Sequence, residues 1–534
     1  MELHYVFKDH LEKMSKLSFI FLLTILLLGA YLRLHHISGY MTYLGDEGRD
    51  VLVVARMIVD HKFTLLGPTA SVGGFFLGPI YYYFMLPFLW LWNFDPTGPA
   101  VMVGLFGIAT IFLVYLLGKK MFDEWVGLIA AALYAVSPLV IAYSRSSWNP
   151  NLVPFFSGLL LLLLYDLATQ AKWNRVFWVG VVLGIGIQLH YLFLFLFIVA
   201  LLWVLALGKW KGHLPYYFLC VSGFLVGYAP FLLFELRHGF PNTFSIINFL
   251  REGEETGFDV SSFFHTVGDV TFRLFGRLIL RIPETHMYAS FPKEQISLWI
   301  GGTKALVYIS IGLMAFYLAG ISREIREGFD KLKTQGLSFL PDGAKAILLL
   351  SFWLAIILFL FGLYRKGIYD YYFGIVFIIP FLLTAWVLRH ISKFRYGGVI
   401  AALVCVGLLY LNWQGRPFLY PPNNQLAQAR RIAWAAYEQT DGRSFNFALI
   451  TGNNSDHAYR YFFEVWGEGP VTIENTNLDP ERKSVTDQLI VICEIECKPL
   501  GHPLWEVAGF GRAEIVGEWD VPFVKIFKLV HYEE

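Results

Sequence analysis

Runs of about twenty apolar residues recur along this chain, separated by loops in which basic residues cluster. In a bilayer every backbone polar group needs an internal partner, so runs of this length fold as spanning helices. Candidate spans fall at 17–36, 99–118, 125–143, 152–171, 176–190, 191–208, 214–234, 298–320, 346–363, 370–388 and 397–413. The pattern predicts a polytopic α-helical membrane protein with about eleven transmembrane helices. Composition agrees. Of 534 residues 56% are hydrophobic and only 16% charged, whereas a soluble enzyme carries about a quarter charged residues. A disordered chain and a cytosolic globule are excluded, and a net charge of +1 offers no field for nucleic acid. Four cysteines are too few for a disulfide scaffold, although Cys493 and Cys497 can pair if they face an oxidising compartment.

Basic residues set the sidedness. Lys8, Lys13 and Lys16; Lys119 and Lys120; Lys172 and Arg175; Lys209 and Lys211; Arg323 to Lys345; and Arg389, Lys393 and Arg395 all fall in loops that the positive-inside rule assigns to the cytoplasm. The segment 1–16 is then a cytoplasmic N-terminus and 17–413 the membrane domain. The stretch 176–208 is nearly continuous, but both its flanks are basic, which requires an outer hairpin at Gln188 to Tyr191. Two outer loops are long, 37–98 and 235–297. Each is expected to hold a juxtamembrane helix: 75–92 with Tyr81, Tyr82, Tyr83, Trp90 and Trp92 as interfacial anchors, and 272–281 with Arg273, Arg277 and Arg281 among apolar residues. Past Tyr420 the chain turns polar. Segment 420–534 reads as a small extracytoplasmic α/β domain, with helices at 425–440 and 457–466 and strands at 445–451, 488–496 and 521–532.

The first outer loop carries Gly45-Asp46-Glu47-Gly48-Arg49-Asp50. Adjacent carboxylates beside a bilayer are costly unless exposed or used. Asp46 reads either as the N-cap of a helix beginning near Val51 or as an acid–base group. Arg365 and Lys366 sit in a short outer loop against the charge trend, as an anion site or a pair snorkelling to headgroups. Arg145, in another short outer loop, either holds a phosphate or caps a helix C-terminus. His190, at the outer hairpin, either contacts substrate or is a hydrogen-bonded loop residue.

The order of four segments resembles a known family. Asp46-Glu47 is followed by Gly78-Pro79-Ile80-Tyr81-Tyr82-Tyr83, then Leu116-Leu117-Gly118-Lys119-Lys120-Met121-Phe122, then Ala135 to Arg145. The sequence is similar here to the C-superfamily membrane glycosyltransferases, in particular family 39, with its protein O-mannosyltransferases and aminoarabinose lipid A transferases. The resemblance covers roughly residues 17–413. It implies inverting transfer of a monosaccharide from a polyprenyl-phosphate donor to a hydroxyl of a protein, lipid or glycan acceptor on the extracytoplasmic face. Asp46 would be the general base and Glu47 would orient the acceptor or nearby backbone. Arg365, Lys366 and Arg145 would bind the donor phosphate, and Tyr81, Tyr82, His190, Asn149 and Tyr371 would contact substrate. Many members carry a carboxylate after this Ser-Arg; here the chain reads Trp148-Asn149-Pro150-Asn151, which weakens the case for a divalent metal. No cofactor is expected, and the partners are the lipid-linked sugar, its acceptor and membrane lipids. The rival readings are a lipid-linked glycan ligase of another fold, a glycolipid flippase or transporter, and a glycan-binding scaffold.

Overall fold

A computed structural model describes residues 15–70, 74–170, 172–207, 214–252, 259–467 and 469–532. The expected basic residues Lys8, Lys13, Lys209 and Lys211 lie outside the described residues, as does most of the segment 1–16. The protein is a multi-pass, mostly helical membrane protein with a small α/β domain at its C-terminal end. Among the described residues six helices are long and apolar enough to cross a membrane: Lys16–Leu34, Thr97–Met121, Asn149–Gln170, Leu214–His238, Lys293–Glu327 and Asp342–Gly362. Shorter apolar helices, Glu124–Val136, Trp173–Leu189, Tyr191–Leu207, Ile378–Ile391 and Gly397–Trp413, occupy the other expected segments. The 176–208 stretch is indeed two arms, broken where His190 turns to extended backbone.

Lipid tails are as apolar as leucine, so helices in a membrane associate through close packing rather than hydrophobic burial. Leu214–His238 packs on Val176–Leu189 in this way. Gly180 and Gly184 on one helix meet Gly223 and Gly227 on the other, and a Cβ at any of the four would collide with an opposing backbone carbonyl. At one end of the bundle the basic residues are pinned by ion pairs: Lys120 with Asp166 (2.7 Å), Arg175 with the same Asp166, and Arg389 with Asp123. Thr97–Met121 runs from that end to the other, where Asp95 pairs with Arg430 of the C-terminal domain at 2.6 Å. The basic loops and the C-terminal domain therefore lie at opposite ends.

Three further helices position the site: Gly45–Val59 and Ile80–Leu91 in the first long loop, and Val260–Leu278 in the second. The first begins at Gly45, ahead of the start expected near Val51. The C-terminal domain comprises helix Gln425–Glu438, β1 (Asn446–Ile450), helix His457–Val465, β2 (Gln488–Cys493), helix Trp505–Phe510, β3 (Ala513–Val521) and β4 (Val524–His531). Its sheet has the order β1-β2-β4-β3, with β1 parallel to β2 and the other pairs antiparallel. β3 was not expected. It is an edge strand in which Glu514 to Val516 are all exposed and the register shifts between Ile515 and Gly517, so alternation holds only from Gly517 to Val521. Cys493 and Cys497 form a disulfide, with Cα atoms 6.1 Å apart.

Candidate active site

The helix Gly45–Val59 presents its first turn to a cavity. Glu47 reaches back so that its Oε2 accepts the Leu44 N–H at 3.0 Å. Glu47, not Asp46, thus closes the helix start, which replaces the N-cap reading of Asp46. The Asp46 side chain is 57% exposed, and its Oδ1 accepts from Arg49 Nη1 at 2.9 Å. Asp50 lies on the buried side. Its Oδ1 accepts from Arg49 Nε and Nη2 (2.9 and 2.8 Å) and from the Tyr82 hydroxyl (3.1 Å). Arg49 therefore clamps an exposed carboxylate to a sealed one, which holds Asp46 in place. Burial pushes the Glu47 carboxyl up to about 7. It pushes Asp50 up to about 6, against the opposing pull of Arg49 and Tyr82.

The cavity holds about 520 Å³. The membrane domain lines it with Thr42, Asp46, Glu47, Tyr143, Ser146, Trp148 and Asn151, and the C-terminal domain with Asn453, Asn454 and Ser455. The glycines that frame the carboxylates permit this closure. A Cβ on Gly48 would lie 2.5 Å from the Ala458 backbone nitrogen, and one on Gly45 would strike Ser455. Asn454 Oδ1 accepts the Gly45 N–H at 2.9 Å.

A second cavity of about 400 Å³ is almost wholly apolar, with Phe75, Leu77, Ile187, Phe231, Leu363, Tyr191 and Tyr364 among its walls. Arg365 and Lys366, both exposed, follow Tyr364 directly. A row of aromatic side chains stands between the two cavities. Trp148 of the polar cavity packs on Tyr371 (4.6 Å between centroids), Tyr371 packs on Tyr372 (4.6 Å), and the Tyr191 and Tyr372 hydroxyls are 3.2 Å apart. Asp370 anchors this loop by accepting from Arg273 Nη2 and Arg277 Nε, each at 2.6 Å, while Arg273 Nη1 donates to the Ile368 carbonyl at 2.8 Å. The two arginines of Val260–Leu278 are thus engaged with protein, where an interfacial pattern was expected.

Several expected substrate contacts are committed elsewhere. Tyr81 and Tyr82 are buried, their hydroxyls bound to Ser147 Oγ (2.7 Å) and Asp50, so neither ring offers a stacking face or an interfacial anchor. Arg145 is also buried. Its Nη atoms donate to the carbonyls of Leu32, Arg33, His35 and His36 at 2.8–3.2 Å, which closes the C-terminal end of the first span and replaces the phosphate-binding expectation. His190 is buried, and its Nδ1 accepts the Leu192 N–H. Asn149 is buried and donates to the Leu189 carbonyl at 2.6 Å. Asp46 and Glu47 line the polar cavity, Tyr371 backs its wall, and Arg365 and Lys366 adjoin the apolar one.

Sequence reasoning missed Arg49, Asp50 and the Asp370 anchor. Helical spacing held the signal for the first two, since residues three and four apart share a face. Asn453, Asn454 and Ser455 gave no signal. Among the described residues no group of three His, Cys, Asp or Glu side chains is arranged to hold a metal ion.

Comparison with known proteins bears on this arrangement. The profile of the dolichyl-phosphate-mannose-protein mannosyltransferase family matches residues 77–234. No curated protein sequence matches the chain. Among solved structures, ArnT from Cupriavidus metallidurans bound to undecaprenyl phosphate superposes with a TM-score of 0.58 at 11% identity, over 96% of this chain and 98% of that one. Its apo form gives 0.58 and 11%, over 95% and 97%. The Archaeoglobus fulgidus oligosaccharyltransferase AglB, in complex with an inhibitory peptide and a dolichol-phosphate, gives 0.46 at 14% identity over 89% and 69%.

Proposed function

We propose that this chain, which shares its fold with ArnT, is a membrane glycosyltransferase that moves a monosaccharide from a polyprenyl-phosphate donor to a hydroxyl acceptor on the extracytoplasmic face. The observation that carries the reading is the pair of cavities, one apolar and one polar, on either side of the aromatic row. An apolar chamber with two cations at the end of its wall suits a lipid phosphate, and the polar chamber beside it suits a sugar and an acceptor. The likeness to ArnT, a structure that holds undecaprenyl phosphate, supports a donor of this class.

In this scheme the lipid chain lies in the apolar cavity and its phosphate meets Arg365 and Lys366. The aromatic row sets the sugar beside Asp46. An acceptor hydroxyl is a weak nucleophile, so Asp46 removes its proton as it attacks the anomeric carbon. The carbon–oxygen bond to the lipid phosphate breaks, and the cations stabilise the charge that develops there. Attack opposite the leaving group inverts the anomeric centre. The scheme uses no metal. Lining hydroxyls and amides, with no lysine or arginine among the described lining residues, suit a neutral hydroxyl acceptor better than a phosphate.

The same geometry supports an extracytoplasmic site and a cytoplasmic N-terminus. The cavities lie at the C-terminal-domain end, away from the basic loops, and the Cys493–Cys497 disulfide fits an oxidising compartment. The test is transfer of label from radiolabelled polyprenyl-phosphate sugars into a membrane extract by the purified protein. Transfer from at least one donor is expected, and none from any donor of the class would contradict the reading. Arg365→Ala and Lys366→Ala should each weaken donor binding about tenfold, measured by titration with the labelled donor.

A further inference from the structure

A chain of hydrogen bonds runs from the C-terminal domain to the residue before Asp46. Glu494 directly follows β2. Its Oε2 accepts from Thr451 Oγ1 at 2.6 Å, and its Oε1 accepts from the Tyr459 hydroxyl at 2.7 Å and from Asn454 Nδ2 at 2.9 Å. With Nδ2 turned to Glu494, the carbonyl end of the Asn454 amide faces the other way. There Oδ1 accepts the N–H groups of Gly45 and Ser455, both at 2.9 Å. A flipped amide would set donor against donor at both contacts. The disulfide closes the turn 493–497 that carries Glu494.

We propose that Asn454 is a positioning residue for the general base, that Glu494 fixes its amide orientation, and that the C-terminal domain thereby completes the catalytic pocket. The inference rests on the reading of Asp46 as the base. Asn454 fixes the backbone of Gly45 and with it the direction in which the Asp46 carboxylate enters the cavity. It is not needed to hold the domains together. That is done independently by Arg56 with Glu464 (2.9 Å), Arg430 with Asp95 (2.6 Å), Tyr461 with the Phe94 carbonyl, and Gln425 with the Tyr43 N–H (3.0 Å). Loss of Asn454 therefore misplaces the base without releasing the domain. Misplacement of a catalytic group by about 1 Å costs on the order of a hundredfold in rate.

The experiment compares wild type, Asn454→Ala, Glu494→Ala, Glu494→Gln and Asp46→Asn as purified full chains. Polyprenyl-phosphate [³H]mannose is the donor probe and a membrane extract the acceptor, with thermal midpoints recorded in parallel. Asn454→Ala and Glu494→Ala should lower kcat about thirty- to a hundredfold, with donor KM and thermal midpoint little changed. Glu494→Gln keeps an acceptor for the Asn454 amide and should retain most of kcat. Wild-type kcat in Asn454→Ala beside an inactive Asp46→Asn would overturn this inference and leave the base in place. Loss of activity in step with loss of stability, without rescue by Glu494→Gln, would reduce the chain of bonds to a structural brace. Transfer by Asp46→Asn at the wild-type rate would remove the base reading and this inference together.

Discussion

Asp46 and Asp50 stand four residues apart on one helix, one open to a cavity and the other sealed, with Arg49 bridging them. Beside them Glu47 is buried, and its carboxyl is pushed up from 4.5 to about 7. Between those values the folded protein keeps a proton that the unfolded chain gives up. The stability difference is therefore fully present below about 4.5 and is lost as pH rises through 7. Asp50, raised to about 6 from 3.8, acts in the same direction. Glu47→Gln should remove the Glu47 part of this dependence, stabilising the protein at pH 8 by on the order of 3 kcal/mol relative to its effect at pH 4.5. Thermal midpoints of both proteins from pH 4.5 to 8 check this, and parallel curves would contradict it. At this scale the sequence was partly legible. Paired carboxylates at a membrane face mark themselves by their cost. The roles of Tyr81, Tyr82 and Arg145 were not visible, because each is decided by a distant partner. Three tyrosines near an apolar run look like an interfacial belt until Tyr82 is seen to meet Asp50, and Arg145 looks like a free cation until the end of the first span is packed against it.

Elements meet closely wherever glycine allows it. Gly180 and Gly184 interlock with Gly223 and Gly227 in the membrane, and Gly45 and Gly48 admit the helix His457–Val465 and the turn before it. Gly48→Ala places its methyl 2.5 Å from the Ala458 backbone nitrogen and 2.6 Å from its Cα. Neither atom is the end of a flexible side chain, so the substitution should destabilise the docked domain by about 1–3 kcal/mol. Faster proteolysis of the C-terminal domain in the variant is the expected readout, and an unchanged rate would contradict the packing argument. Spans were legible because twenty apolar residues leave little choice. The start of the carboxylate helix was not, since Gly45 and Gly48 read as loop residues when judged by propensity alone. β3 escaped because its exposed start and the register shift at Gly517 leave only five alternating residues.

Across the whole molecule, the basic loops gather at one end and the two cavities at the other, with the C-terminal domain forming one wall of the polar cavity. The fold class was legible in composition and charge. The candidate site was half legible: Asp46 and Glu47, which line the polar cavity, could be found, but the wall from Asn453 to Ser455 lies more than four hundred residues from Asp46 and carries no pattern. The central claim is that Asp46 is the base on which transfer depends. It is tested most directly by sugar transfer with Asp46→Asn, whose amide oxygen still accepts from Arg49 but cannot take a proton from the acceptor. Transfer should fall about 10²- to 10⁴-fold with donor binding unchanged. Transfer within a few-fold of wild type would contradict the account.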